Sequence, residues 1–204
     1  MITYATTAML MSLILEVDGT RLIRERIREG TIATDLMKPI SVPLYFFSDG
    51  VGQTLLHALL VVPSLFCALL LVHIDVPSPA TFAVFLLSFA IGYGVNFFLN
   101  FLMNCVAFWT LETFAAQLIV RWVSDLLSGQ IIPLTLFPGI VGRLVFALPF
   151  AAIYSTPLLI YVGVISAAQW PVALAAQVAW LAVFAAASSF VWRAAANRIV
   201  IQGG

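Results

Sequence analysis

Long apolar runs, punctuated by Pro, Gly and a few charges, occupy most of this chain. A hydrocarbon core about 30 Å thick is crossed by roughly 20 apolar residues in a helix rising about 1.5 Å per residue. Measured against that length, Val51 to Val72, Thr81 to Val106, Trp109 to Leu127 and Pro171 to Trp192 are each predicted to span. Ile2 to Leu15 has a helical, apolar pattern but is short for a full crossing, and reads as the tail of a further span. Between Gly129 and Trp170, Pro133, Pro138, Pro149 and Pro157 alternate with Gly139, Gly142 and Gly163. Breakers at that spacing exclude one straight helix and predict two shorter ones arranged as a hairpin.

The expected fold is therefore all-α, a polytopic membrane protein with about five transmembrane helices, a cytoplasmic interfacial helix and an outward-facing Pro-rich hairpin. Residues 1–204 form one transmembrane domain in this reading, with 20–41 as a cytoplasmic amphipathic segment and 129–170 as the extracytoplasmic hairpin and its connection. Composition agrees: 63% hydrophobic and 9% charged residues, with a mean hydropathy of +1.10, lie far from the roughly 45–50% apolar and 25% charged average of soluble domains. Cys67 and Cys105 fall inside apolar runs and read as small buried hydrophobes. The N-terminus has neither a basic stretch nor an Ala-x-Ala-like site, so it does not read as a signal peptide.

A formal net charge of zero says little here, because orientation in a membrane follows where the charges lie. Five of the nine basic residues, Arg21, Arg24, Arg26, Arg28 and Lys38, fall between Thr20 and Ser41. The connection from His73 to Pro79 carries Asp75 and no basic residue. The positive-inside rule then places the basic segment in the cytoplasm, the Asp75 connection outside, a tight turn near Phe108 inside, the hairpin outside, and the C-terminus with Arg193 and Arg198 inside.

Within the basic segment, Arg21, Arg24 and Arg28 recur at three- and four-residue spacing, interleaved with Leu22, Ile23, Ile27 and Ala33. This is an amphipathic helix for the membrane interface, interrupted at Gly30 and stopped by Lys38-Pro39. Each basic residue adds about 1 kcal/mol of attraction to an anionic leaflet, which would make the segment an orientation anchor. Glu25, Glu29 and Asp35 weaken lipid attraction, and mixed charge suits a protein docking surface. Both readings stand on spacing alone.

Polar residues inside the apolar runs are few. Ser88, Gly92, Asn96, Asn100 and Asn104 repeat at four-residue intervals and form one slowly drifting stripe. Such a stripe serves either close helix packing or a polar translocation path. Gln117, Arg121 and Asp125 also stand four apart, so Arg121 and Asp125 can pair along one face. Glu112 lies near the cytoplasmic junction of the same run, and His57 stands alone among apolar residues as a packing residue.

The run Ile27-Arg28-Glu29-Gly30-Thr31-Ile32-Ala33-Thr34-Asp35-Leu36-Met37-Lys38-Pro39-Ile40 resembles the cytoplasmic segment of ABC-2 type transporter permeases, in the bacterial group related to daunorubicin and viologen exporters. Phe108-Trp109-Thr110-Leu111-Glu112 resembles the start of that group's fifth helix. Ser128-Gly129-Gln130-Ile131-Ile132-Pro133-Leu134, followed by Phe137-Pro138 and Leu148-Pro149-Phe150, resembles the region after it. Members have six spans, and this chain begins where their second would be, so either its first residue is internal to a longer reading frame or it is a shortened member without the first helix.

The resemblance implies a bacterial inner-membrane permease that pairs as a homo- or heterodimer, exports its substrate, and has no catalytic residue, metal or cofactor of its own. Cytoplasmic P-loop ATPase subunits would use ATP and dock on Arg21, Arg24, Glu25, Arg28, Glu29, Gly30, Asp35, Lys38 and Pro39. Pro133, Pro138 and Pro149 would belong to the hairpin closing the outer end. The residues agree with the lack of an engine: the only lysine, Lys38, precedes a proline, so no P-loop can form. A proton-coupled transporter or accessory subunit is the competing class; it calls for internal repeats and a mid-span carboxylate, and neither is apparent. An intramembrane enzyme would need a nucleophile with its base or a metal set, and no His-Glu-x-x-His occurs. Nucleic acid has no counterpart surface here.

Overall fold

The computed structural model describes residues 2–15, 23, 25, 26, 29, 31, 32, 41–71, 75–109 and 114–202. Its described residues include seven α-helices: α1 Ile2–Leu15, α2 Val42–Leu71, α3 Pro79–Cys105, α4 Phe114–Leu127, α5 Gly139–Ala147, α6 Ser155–Tyr161 and α7 Trp170–Gln202. By length and hydropathy, α3 and the stretch Ala167–Ala195 are each sufficient to cross a membrane, while Ile2–Leu15 is a shorter apolar helix.

α2 begins at Val42, well before the apolar run at Val51. Val42, Phe46 and Thr54 are buried at near-helical spacing, so packing against the rest of the chain, and not hydropathy, sets where this helix starts. α7 likewise continues past Trp192 to Gln202. With 30 residues in α2 and 33 in α7, each is longer than a core about 30 Å thick needs at about 1.5 Å per residue. Ser78 starts α3 by accepting the Thr81 N–H at 3.2 Å, and Pro79 occupies the first helical position, where a missing N–H costs nothing.

The centre of the fold is the α3–α7 pair, the most extensive helix contact in the molecule. Buried Gly94 faces α7 at Leu181, whose Cδ1 would lie 2.8 Å from a Cβ placed there. Along α7, Gln177, Ser188, Trp192 and Ala195 are buried at spacings that keep one seam turned inward. Small and polar residues at such seams are the usual means of association where lipid removes the hydrophobic drive between helices. Against this pair rest α6 and the turn Pro149–Ala152, while α1 packs chiefly on α2.

Two ends can be told apart. At one, the Thr3 hydroxyl donates to Asp75 at 3.1 Å, and burial, with a smaller push from the Asp75 carboxylate, raises the Tyr161 phenol above its ordinary range. The start of α1, the α2–α3 connection and the end of α6 therefore meet there. At the other, Ile23, Ile32, Val42, Phe46, Phe97, Phe101, Cys105 and Trp192 form one cluster.

Candidate functional site

The basic segment is positioned from beneath. Ile23 is 0% and Ile32 2% exposed, both sunk into the cluster of α2, α3 and α7 residues. Their apolar side thus packs on the protein's own helices, not on lipid. Arg26, which spacing alone does not single out, lies over the Phe46 ring at 5.5 Å and the Tyr45 ring at 5.8 Å. Glu25 and Glu29 share one helical turn, with the Glu29 N–H donating to the Glu25 carbonyl at 2.9 Å. The roles expected for Arg21, Arg24, Arg28, Gly30, Asp35, Lys38 and Pro39 fall outside the described residues, as does that of Glu112.

The stripe on α3 divides by function along its length. Ser88 and Gly92 face α7 and the 149–153 turn: Ser88 Oγ donates to Gln177 Oε1 at 2.8 Å, and Gln177 Nε2 donates to the carbonyls of Ser88 at 3.1 Å and Ala152 at 2.7 Å. Asn96 Nδ2 reaches the Leu15 carbonyl at 3.4 Å, one of the acceptors that the end of α1 leaves unfilled. Asn100 donates back to Asn96 O at 2.9 Å, and Asn104 to Asn100 O at 3.1 Å.

α4 is built differently. It touches α3 and the 149–152 turn only sparsely, and it leaves Leu118, Ile119, Trp122, Val123 and Leu126 exposed. Arg121 is exposed and Asp125 half-buried on this helix, which also carries Gln117; both charged groups are engaged by neighbours. Beyond Leu127, Gly129 takes a left-handed φ of +85°. A Cβ there would meet Ser155 and the Tyr4 hydroxyl at 3.1 Å and Leu134 at 3.2 Å, so both conformation and crowding call for glycine. The Tyr4 hydroxyl donates to the Gly129 carbonyl at 2.6 Å. Beside this contact a groove of about 540 Å³ runs along α1, lined by Ile2, Tyr4, Met9, Gln130, Ile131 and Pro133.

The two predicted hairpin helices are α5 and α6, with Pro138 preceding the first and Pro149 opening the turn between them. Pro133 lies ahead of both, at the start of a short turn. α5 exposes Ile140, Val141 and Leu144.

Sequence reasoning missed four residues. Asp49 escaped because α2 starts earlier than its apolar run; there Gln53 Nε2 donates to Asp49 Oδ2 at 2.9 Å, and His57 Nδ1 lies 3.0 Å from the Gln53 carbonyl. Gln177 had a usable signal, as the one amide in the run Pro171 to Trp192. Tyr4 and Arg26 had none beyond residue type. Among the described residues, no group of three or more His, Cys, Asp or Glu could hold a metal.

Comparison with curated proteins and with solved structures returns no match. The family model described as ABC-2 family transporter protein matches residues 1–203. That match spans the basic segment, the paired α3 and α7, the thinly held α4 and the broken hairpin alike, and the chain belongs to the ABC-2 family of transporter proteins, as a membrane-embedded ABC transporter permease.

Proposed function

We propose that this chain is the permease subunit of an ABC-type exporter, in which two copies enclose the substrate path and a separate cytoplasmic P-loop ATPase supplies the energy. The observation that carries this reading is the burial of Ile23 and Ile32 among α2, α3 and α7. A force applied to the charged outer side of the 20–41 segment is passed directly to three long helices, because a close-packed cluster moves as a unit.

In this reading α1, α2, α3, α4 and α7 are the five spans, and the Ile23 end is cytoplasmic. α2 and α7 exceed the hydrocarbon thickness, and the extra turns of α7 at that end add exposed Arg193 to the surface the ATPase meets. The substrate path runs along α4, which is thinly packed on its own chain and leaves Trp122 63% exposed. Arg121 and Asp125 line that path, since charged groups in a membrane helix turn toward protein or water and not toward lipid. The Asn96, Asn100 and Asn104 rungs serve packing, as their bonds to α1 and along α3 suggest. α5 and α6 close the outer end. The permease itself has no catalytic role and no cofactor, and ATP is consumed by the partner.

The test is purification of the tagged chain from its native membrane. A P-loop ATPase should copurify with ATP hydrolysis, and reversing the charges of Arg24 and Arg28 together should remove both. Retention of the ATPase and its activity after that reversal would reduce the segment to a membrane anchor.

A further inference from the structure

We propose that Gln177 is a positioning residue that carries the Pro149–Ala152 turn on the α3–α7 pair, so that the closing hairpin and this pair move as one body. The inference rests on the reading of the hairpin as the outer closure, and it adds which part of the molecule the hairpin travels with.

Gln177 is 1% and Ser88 0% exposed, and the three bonds between Gln177, Ser88 and Ala152 use both hydrogens of the amide nitrogen and its oxygen. The Ala152 carbonyl is thereby satisfied in a region where water is scarce, and an unmet acceptor there would be costly. Geometry adds a second restraint. A Cβ at Gly92 would stand 2.9 Å from the carbonyl oxygens of both Ala152 and Ile153, so α3 has no clearance across which the turn could slide. Ile153, Leu158 and Ile160 then bury against the same core. The contact at Gly129 is of a different kind: it lies just beyond α4, which is thinly held to its own chain, and beside an open groove, where the Gly129 carbonyl accepts from Tyr4. Movement of the thinly held α4 is therefore borne beside Gly129 and the groove, while the Gln177 side stays closed on the core that Tyr4 shares with Ile153 and Leu158.

The experiment uses the complete transporter in lipid nanodiscs, where ATP and probe reach both faces, with Cys67 and Cys105 replaced by Ser and a hydrophilic maleimide as probe. Ala152→Cys should label slowly, with and without ATP. Ile131→Cys, in the groove, should change its labelling rate with ATP. Adding Gln177→Leu should raise labelling at Ala152→Cys by about tenfold, the factor expected when two or three bonds of this class are lost from a local opening equilibrium. Should Gln177→Leu fail to assemble, Ser88→Ala removes one bond and should give a smaller rise in the same direction. The proposal is overturned if the Ala152→Cys thiol follows ATP in step with that of Ile131→Cys, or if neither Gln177→Leu nor Ser88→Ala raises its labelling. A rise with Gln177→Leu but no ATP effect at Ile131→Cys supports the positioning role and contradicts the ATP-driven reading, which separates the two.

Discussion

The Tyr4 hydroxyl donates to the Gly129 carbonyl at 2.6 Å, joining residues 125 apart in sequence across a buried contact. Tyr4 is buried on α1, and Gly129 holds a left-handed φ just beyond α4. Gly129→Ala should cost more than Tyr4→Phe. The first meets a left-handed penalty of about 1–2 kcal/mol plus crowding, while the second loses an intramembrane hydrogen bond averaging about 0.6 kcal/mol. Unfolding of the two variants in detergent measures this, and a larger loss for Tyr4→Phe would contradict the assignment.

Asn96 and Asn100 look alike in sequence but not in bonding. Asn96 reaches another helix at the Leu15 carbonyl, whereas Asn100 donates to Asn96 on its own helix. Asn96→Ala should lower stability by roughly 0.6–1.7 kcal/mol and speed hydrogen exchange at the end of α1. Asn100→Ala should leave that exchange unchanged. Equal effects of the two would mean the stripe is not divided as described.

Arg26 stacks on Tyr45 and Phe46, an interaction of about 0.5–1 kcal/mol at exposed sites. Arg26→Ala should therefore loosen the basic segment without unfolding the membrane helices. Trypsin cleavage at Arg24 and Arg28 in inside-out vesicles should quicken by about three- to fivefold. An unchanged cleavage rate would show that Arg26 does not hold the segment down.

Arg121 and Asp125 stand four residues apart on α4, close enough to pair along one face. Asp125→Ala should reduce assembly yield, and the Arg121→Ala, Asp125→Ala double change should be milder than either single one, because it leaves no unmatched charge in the membrane. Additive losses would remove the pair from the account.

Much of this architecture was legible because a bilayer imposes it. Hydropathy alone located the bodies of α2, α3, α4 and α7, and the Pro and Gly spacing between 129 and 170 located the break that yields α5 and α6. Helix ends were less legible: Val42 begins α2 because Phe46 and Thr54 pack inward, information that lies in tertiary contacts and not in the Val51 run. The Asn stripe was visible as spacing, but its partners were not, since the Leu15 carbonyl is backbone and carries no sequence signal. Gln177 was visible as a lone amide, yet only the position of the Ala152 carbonyl gives it a role. Arg26 was not singled out from its four basic neighbours, because nothing in spacing distinguishes a guanidinium over rings from one facing water.

In the proposed function, energy enters at the Ile23 end from the cytoplasm and the Asp75 end faces out. Sidedness tests it most directly, using exposed Ser41 beside the basic segment and Val76, 79% exposed in the α2–α3 connection, each replaced by cysteine in turn. With an impermeant thiol reagent, Val76→Cys should label from the outside of intact cells and Ser41→Cys only in inside-out vesicles. Labelling of Ser41→Cys from the outside of intact cells would contradict the topology, and with it the docking of an ATPase on the segment from Arg21 to Pro39.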